Sequence, residues 1–147
     1  MRFYRDGMIF KPHEVAFLQN ADLGRLATIQ PDGTPQNSPV GFTFNEQLGT
    51  IDIAGYRMAH SQKFRNIAGN PKVAFVVDDI TSRNPWRVRC LEIRGTAEQA
   101  QVPAARGAGG DELDTAIIRV TPHKIISFGI DDQETEPHQL IPDVRTM

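Results

Sequence analysis

Between residues 53 and 77 the chain carries no acidic side chain, yet Arg57, His60, Lys63, Arg65 and Lys72 all fall there. Asp52 and Asp78 close the stretch on either side, and the whole chain has a formal charge of −2, so this positive field is local. It surrounds Ser61-Gln62-Lys63, just before Phe64, Ile67 and Ala68, which are spaced as one face of a helix. Backbone N–H groups and the peptide dipoles at a helix start favour an anion. A serine hydroxyl, Lys63 and Arg65 would add charge-assisted contacts to a phosphate. A solvated helix face accounts for the same residues, and spacing alone leaves both readings open. A second cluster joins Arg87, Arg89 and Arg94 to Trp86. Arginines at i and i+2 can line an anionic groove or pair across strands with carboxylates. Trp86 fits a core or interface anchor more readily than a stacking platform.

Other chemistries lack their residues. The sequence holds neither a Gly-x-x-x-x-Gly-Lys loop nor a strand-linked Gly-x-Gly-x-x-Gly. Gly107-Ala108-Gly109-Gly110 opens no helix and has no lysine, so it reads as a flexible loop. His13, His60, His123 and His138 are scattered without ligand spacing, and no metal site is expected. No nucleophile motif surrounds a serine or Cys90, and Cys90 reads as a packed small hydrophobe. No catalytic side chain is assigned from the residues.

The elements that must position the basic stretch are short. A helix begins at Lys11-Pro12-His13-Glu14, with proline at its first position and Glu14 at the positive end of the dipole. Residues 24–30 alternate as a half-buried strand, Pro31-Asp32-Gly33-Thr34 is a reverse turn, and a strand follows over residues 36–44. Residues 50–54 form the next strand, and Gly69-Asn70-Pro71 ends the second helix. Residues 72–78, nearly all apolar, read as a central strand. Residues 86–97 form a long strand whose parity changes between Cys90 and Leu91, predicting a bulge there. Two last strands, 114–120 and 124–129, flank Thr121-Pro122. A mobile loop is expected over about 99–112 and a loosely held acidic tail over 131–147, carrying Asp131, Asp132, Glu134 and Glu136. Links this short make antiparallel pairs, hence a barrel with minor helix.

The 147 residues suffice for one domain with its own core, 1–147, without disulfides or structural metal. Among 16 basic residues only Lys11, Lys63, Lys72 and Lys124 are lysines, so anions would meet mostly planar guanidinium forks. The acidic balance argues against a nucleic-acid partner. A single cysteine, no long apolar run and no apolar stretch in Met1-Arg2-Phe3-Tyr4-Arg5-Asp6 lead to the expectation of a soluble cytoplasmic domain with no membrane partner.

The order of these elements, with Ser61-Gln62-Lys63 and then Asn70-Pro71-Lys72-Val73-Ala74, resembles the pyridoxamine 5′-phosphate oxidase-like FMN-binding split β-barrel family. Leu23-Gly24-Arg25-Leu26-Ala27-Thr28, Pro31-Asp32-Gly33-Thr34-Pro35 and Val76-Val77-Asp78-Asp79 are similar to its actinobacterial flavin/deazaflavin oxidoreductase branch. Pro85-Trp86-Arg87, Glu92-Ile93-Arg94-Gly95-Thr96-Ala97-Glu98, Ile118-Arg119-Val120-Thr121-Pro122 and Ile125-Ile126-Ser127-Phe128-Gly129 extend the likeness over residues 18–129.

The resemblance implies a six-stranded antiparallel Greek-key split β-barrel with one or two short helices. It implies a homodimer with the cofactor at the subunit interface, and an oxidoreductase using the deazaflavin coenzyme F420, with FMN as the alternative. Pro39, Val40, Gly41 and Phe42 would back the ring, while Ala54, Gly55 and Tyr56 approach it by backbone. Ser61, Gln62 and Lys63 would hold the phosphate with Arg57 nearby. Trp86, Arg87 and Arg89 would face the cofactor from the partner subunit.

F420 is preferred because the likeness is nearest the actinobacterial branch and the basic stretch suits a polyanionic tail. Hydride would pass from reduced deazaflavin to an electron-poor small organic substrate, with Tyr56 or solvent giving the proton. A carrier that binds a flavin without turnover shares the same binding residues. Two departures stand out: Gln62 where the family often has arginine, and Phe128 where near relatives have tryptophan. The arginine- and histidine-bearing C-terminal strand of true pyridoxamine phosphate oxidases has no counterpart, so vitamin B6 oxidation is not expected.

Overall fold

The computed structural model describes residues 9–147; the leading residues read above for a signal peptide lie outside this range. Helix α1 spans Pro12–Gln19. Strands β1 (Leu23–Ile29) and β2 (Pro35–Gly41) form a hairpin across the Pro31-Asp32-Gly33-Thr34 turn, with Leu23 opposite Gly41 and Ile29 opposite Pro35. The turn is held by Thr34 N and Oγ1 donating to Asp32 Oδ1 at 3.0 and 2.6 Å. Strand β3 (Thr43–Asn45) pairs with β4 (Thr50–Ile53), and a short turn over Met58–His60 leads into helix α2 (Gln62–Gly69). Three long strands then meander: β5 (Lys72–Arg83), β6 (Trp86–Gln101) and β7 (Ala116–Phe128). A final strand, β8 (Asp143–Thr146), pairs with β7.

All pairs are antiparallel in one sheet of eight strands, ordered β2-β1-β5-β6-β7-β4-β3, with β8 against β7. The two ends of that order are consecutive in sequence. The segment read as one strand over 36–44 pairs with β1 through its first half and with β4 through its second, and Phe42 between them joins neither ladder. The chain itself thus closes the sheet into a split barrel. Inside it lie Leu26, Ile51, Ile53, Phe75, Leu91, Ile93, Ile118 and Ile125, none more than 1% exposed. Each such side chain contributes roughly 1.5–3 kcal/mol by leaving water. Among the described residues no helix is long and apolar enough to cross a membrane.

Four expectations change. Among the described residues there are eight strands rather than six, because the strand at 36–44 is divided and the tail adds β8. Strands 114–120 and 124–129 are one, since Pro122 falls where the β6–β7 register shifts beside Gly95, and its missing N–H costs no ladder bond. No bulge separates Cys90 from Leu91: β5 and β6 run in register there, and the irregularities lie between Ile80 and Ser82 and between Arg94 and Gly95. Arg87 and Arg89 share the parity of buried Leu91 and Ile93 because the β5–β6 hairpin outruns the apolar core. There Arg89 stacks 4.9 Å above the Phe17 ring of α1, and Arg87 meets the tail.

The tail, finally, is tied down. Arg87 Nε donates to Gln133 O at 2.9 Å and its fork reaches Glu136 at 3.2 Å. Arg145 of β8 grips Glu14, which is completely buried and also accepts from Ser127 Oγ at 2.6 Å and Lys11 N at 2.8 Å. Lys11 forms an ion pair with Asp143. Burial alone would raise the Glu14 pKa, but Arg145, Ser127 and the Lys11 amide outweigh it and hold the carboxyl below its ordinary value. A carboxylate with a depressed folded pKa adds stability above the unfolded value of about 4.3 and loses it as pH falls. Glu14→Gln is expected to lower the urea midpoint at neutral pH, and its deficit against the parent should shrink as pH drops below about 4. At Gly95 an added Cβ would overlap the Thr121 carbonyl oxygen, so Gly95→Ala should cost about 2 kcal/mol in urea unfolding.

Candidate functional site

A cleft of about 1090 Å³ opens where the divided strand leaves the sheet. One wall is the chain from Pro39 through Val40, Gly41 and Phe42 to Thr43. Phe42 is placed by an edge-to-face contact with the Phe75 ring, centroids 5.2 Å apart, and Val40 is buried in the core. The opposite wall begins where β4 ends after Ile53. Ala54 and Gly55 leave the ladder, and Tyr56, Arg57 and Met58 turn the chain towards α2. The far end is closed by His60, Ser61 and Lys63, and the outer rim by Gly107, Ala108 and Leu113.

Ser61 sets the start of α2. Its hydroxyl donates to Met58 O at 2.7 Å and accepts from Phe64 N at 3.3 Å, which makes it a helix cap first. The amides of Gln62 and Lys63, in the first turn, have no intrahelical acceptor, and Lys63 lines the cleft. Asn66, one turn on, ties the helix to the barrel by donating to Thr28 Oγ1 and Gln36 Oε1, each at 3.0 Å.

The electrostatics are asymmetric. Asp52 lines the cleft but is neutralised by Arg119, whose Nε and NH2 donate to its two oxygens at 3.0 Å each. Burial would raise the Asp52 pKa, yet Arg119, Asn45 and Thr50 outweigh it and keep the carboxyl below its ordinary value. Arg25, Arg87, Arg89, Arg94, Arg119 and Arg145 all pair with carboxylates. The cleft's cations, Arg57 and Lys63, have no carboxylate within 4.0 Å among the described residues. An anion therefore meets cations without competing partners.

Ten of the residues singled out from the sequence line this one cleft, from Pro39 through Phe42, from Ala54 through Arg57, and Ser61 with Lys63. Gln62 does not: its amide lies along α2, donating to Asn66 Oδ1 at 2.7 Å and accepting from Arg65 at 2.9 Å. Arg65 also bonds His60 O at 2.8 Å, bracing the turn instead of facing an anion. Trp86, Arg87 and Arg89 lie away from the cleft of their own chain. Arg87 is engaged by the tail and Arg89 by Asp79 at 2.5 Å, whereas Trp86 is 49% exposed at the hairpin end.

Sequence reasoning missed Asp22, Thr43, Met58 and the 107–113 rim. The rim is an ordered excursion rather than an open loop. Val102 N donates to Thr115 O, Leu113 N to Ala105 O and Gly107 N to Asp111 O at 2.8–2.9 Å, with a bridge between Arg106 and Glu112. Its glycines were the signal: Gly107 marks a close approach to Tyr56, and Gly110 a turn with φ of 89°. Cys90 lies outside the cleft, and burial first, then Asp78 and Glu92, push its thiol up to about 11, which suits packing and not a nucleophile. Among the described residues no group of three or more His, Cys, Asp or Glu could hold a metal ion.

Of the cleft walls, Phe42, Ala54 and Gly55 lie outside the ladders, and neither Gly41 nor Gly55 is required by the chain's own packing. A Cβ at Gly41 would meet only Asp22 O at 3.9 Å, and one at Gly55 only the Met58 side chain at 3.6 Å. Bare backbone at these glycines leaves space in the cleft, whose lining also carries the cations Arg57 and Lys63.

Known proteins place the chain in context. The pyridoxamine 5′-phosphate oxidase family matches residues 10–128. A 5a,11a-dehydrotetracycline/5a,11a-dehydrooxytetracycline reductase of Streptomyces rimosus subsp. rimosus is 41% identical over 132 residues, 89% of this chain and 92% of the relative. Among solved structures, an F420 reductase is 31% identical with a TM-score of 0.56, covering 77% of this chain and 94% of its own. A conserved hypothetical protein from Mycobacterium tuberculosis shares the fold at a TM-score of 0.65 and 19% identity, over 89% of this chain and 91% of its own. Split barrel and matched residues agree: the chain belongs to the pyridoxamine 5′-phosphate oxidase family.

Proposed function

We propose that this oxidoreductase binds reduced F420 in the cleft and reduces an electron-poor carbon–carbon double bond of a small organic substrate. The observation that carries the reading is that Arg57 and Lys63, without a carboxylate partner among the described residues, line one cleft with the divided strand Pro39–Thr43 and with Ala54 and Gly55 beyond the end of β4. The 31% identical F420 reductase and the dehydrotetracycline reductase support it, the latter because its named substrates are 5a,11a-dehydro compounds.

When bound, a reduced deazaflavin supplies the hydride. The chain supplies position. Arg57, Lys63 and the first amides of α2 hold the phosphate, while Pro39 to Phe42 and Ala54 to Gly55 fix the ring plane. Phe42 on one wall and Met58 on the other give the cleft apolar surface, and Leu113 narrows its rim against water. A second copy of the chain completes the site in this reading, with the half-exposed Trp86 of its hairpin as the side chain offered to the neighbour's cleft. Arg87 and Arg89, engaged within their own chain, stiffen that hairpin.

Fluorescence titration with F420 and with FMN tests the proposal. Saturable binding of F420 with a Kd on the order of micromolar, tighter than FMN, supports it. Preference for FMN would make the protein an FMN oxidoreductase, and binding with no turnover of any enone or quinone would leave a carrier. Binding of neither overturns it. Arg57→Gln and Lys63→Gln should each weaken the cofactor about tenfold, the loss expected for one charge-assisted hydrogen bond, and the parent's affinity should fall with added salt.

A further inference from the structure

The glycine-rich rim holds a contact that no sequence motif announces. Gly107 has no left-handed backbone to explain it. A Cβ added there would collide with the Tyr56 hydroxyl and lie 3.0 Å from Cζ and 3.1 Å from Cε1 of the same ring. The phenol therefore rests directly on the loop backbone, and Gly109 lies 3.8 Å from the hydroxyl by the same measure. Tyr56 is 54% exposed, lines the cleft, and its hydroxyl makes no hydrogen bond among the described residues.

The loop cannot drift from the ring, because its base is fastened to the same turn that carries the ring. Asp114 N donates to Gly55 O at 2.9 Å, while the Asp114 carboxylate accepts from Ala59 N at 2.9 Å and Ala116 N at 3.1 Å. These backbone bonds hold the Asp114 pKa below its ordinary value. At the tip, Gly110 N donates to Gly107 O at 2.9 Å and Arg106 to Gly110 O at 2.8 Å.

We propose that Gly107 and Tyr56 form a paired wall that sets which substrates enter: the glycine fixes where the phenol stands, and the phenol limits width at the substrate end. Tyr56 and Gly107 line the same cleft as Arg57 and Lys63, and in this proposal a polycyclic or monocyclic enone enters past them. The unpartnered hydroxyl offers a hydrogen bond to a substrate oxygen. This inference rests on the cofactor reading above.

A double-mutant cycle tests it. Parent, Gly107→Ala, Tyr56→Ala and the double variant are compared for F420 affinity and for kcat/KM on a one-ring enone and a four-ring enone. Tyr56→Ala should raise the four-ring to one-ring ratio about tenfold, the scale of discrimination by pocket shape. Gly107→Ala should shift the ratio in the parent by displacing the ring, with F420 affinity within about twofold, and should have no further effect in the Tyr56→Ala background. The Tyr56 ring signals in NMR should move in Gly107→Ala even without cofactor. An unchanged ratio, or effects of the two substitutions that simply multiply, overturns the paired wall while leaving the cofactor reading intact. Failure of the parent to bind F420 overturns both.

Discussion

A strand that serves two ladders must leave backbone in neither. Residues 35–45 pair with β1 up to Gly41 and with β4 from Thr43, because the neighbouring strands diverge around the barrel and no single partner can follow both halves. Phe42 stands at the division, its ring fastened to Phe75 in the core. The released main chain would be an unsatisfied edge anywhere else. Here it forms one wall of the cleft, and β4 ends just across it so that Ala54 and Gly55 form the other. Fold closure and ligand site have one geometric origin.

The charges follow the same division. Most arginines of this slightly acidic chain are consumed in holding structure: Arg119 on Asp52, Arg89 on Asp79, Arg145 on the buried Glu14. That pairing shapes the field of the cleft: Arg119 neutralises Asp52 in the lining, Asp22 stays unpaired among the described residues, and Arg57 and Lys63 have no carboxylate within 4.0 Å. A net charge near zero therefore coexists with a strongly directed local field.

Much of the barrel was legible because alternation and turn residues are local signals. Leu26 and Thr28, or Leu91 and Ile93, declare a buried face, and Pro31-Asp32-Gly33-Thr34 declares its turn. The acid-free stretch likewise exposed the part of the cleft lining from Ala54 to Lys63. What stayed hidden depends on partners far along the chain. Nothing near Glu14 announces Arg145, and nothing in the tail announces that Arg87 would hold it. Arg87 and Arg89 looked like groove residues or a parity break, because sequence cannot say that a hairpin runs past its core to lie under α1. Pro122 looked like a gap because the matching register shift sits on another strand, at Gly95. The Gly107 rim read as freedom because a glycine required by a neighbour's ring looks the same in sequence as one required by a turn.

In the proposed function the divided strand and the turn into α2 together grip the cofactor. Backbone hydrogen exchange, compared with and without saturating reduced F420, tests it most directly. The account predicts that slowing of exchange concentrates at residues 41–43 and 54–63, with the tail strand β8 unchanged. Protection confined to other surfaces, with those two segments exchanging as before, would contradict it.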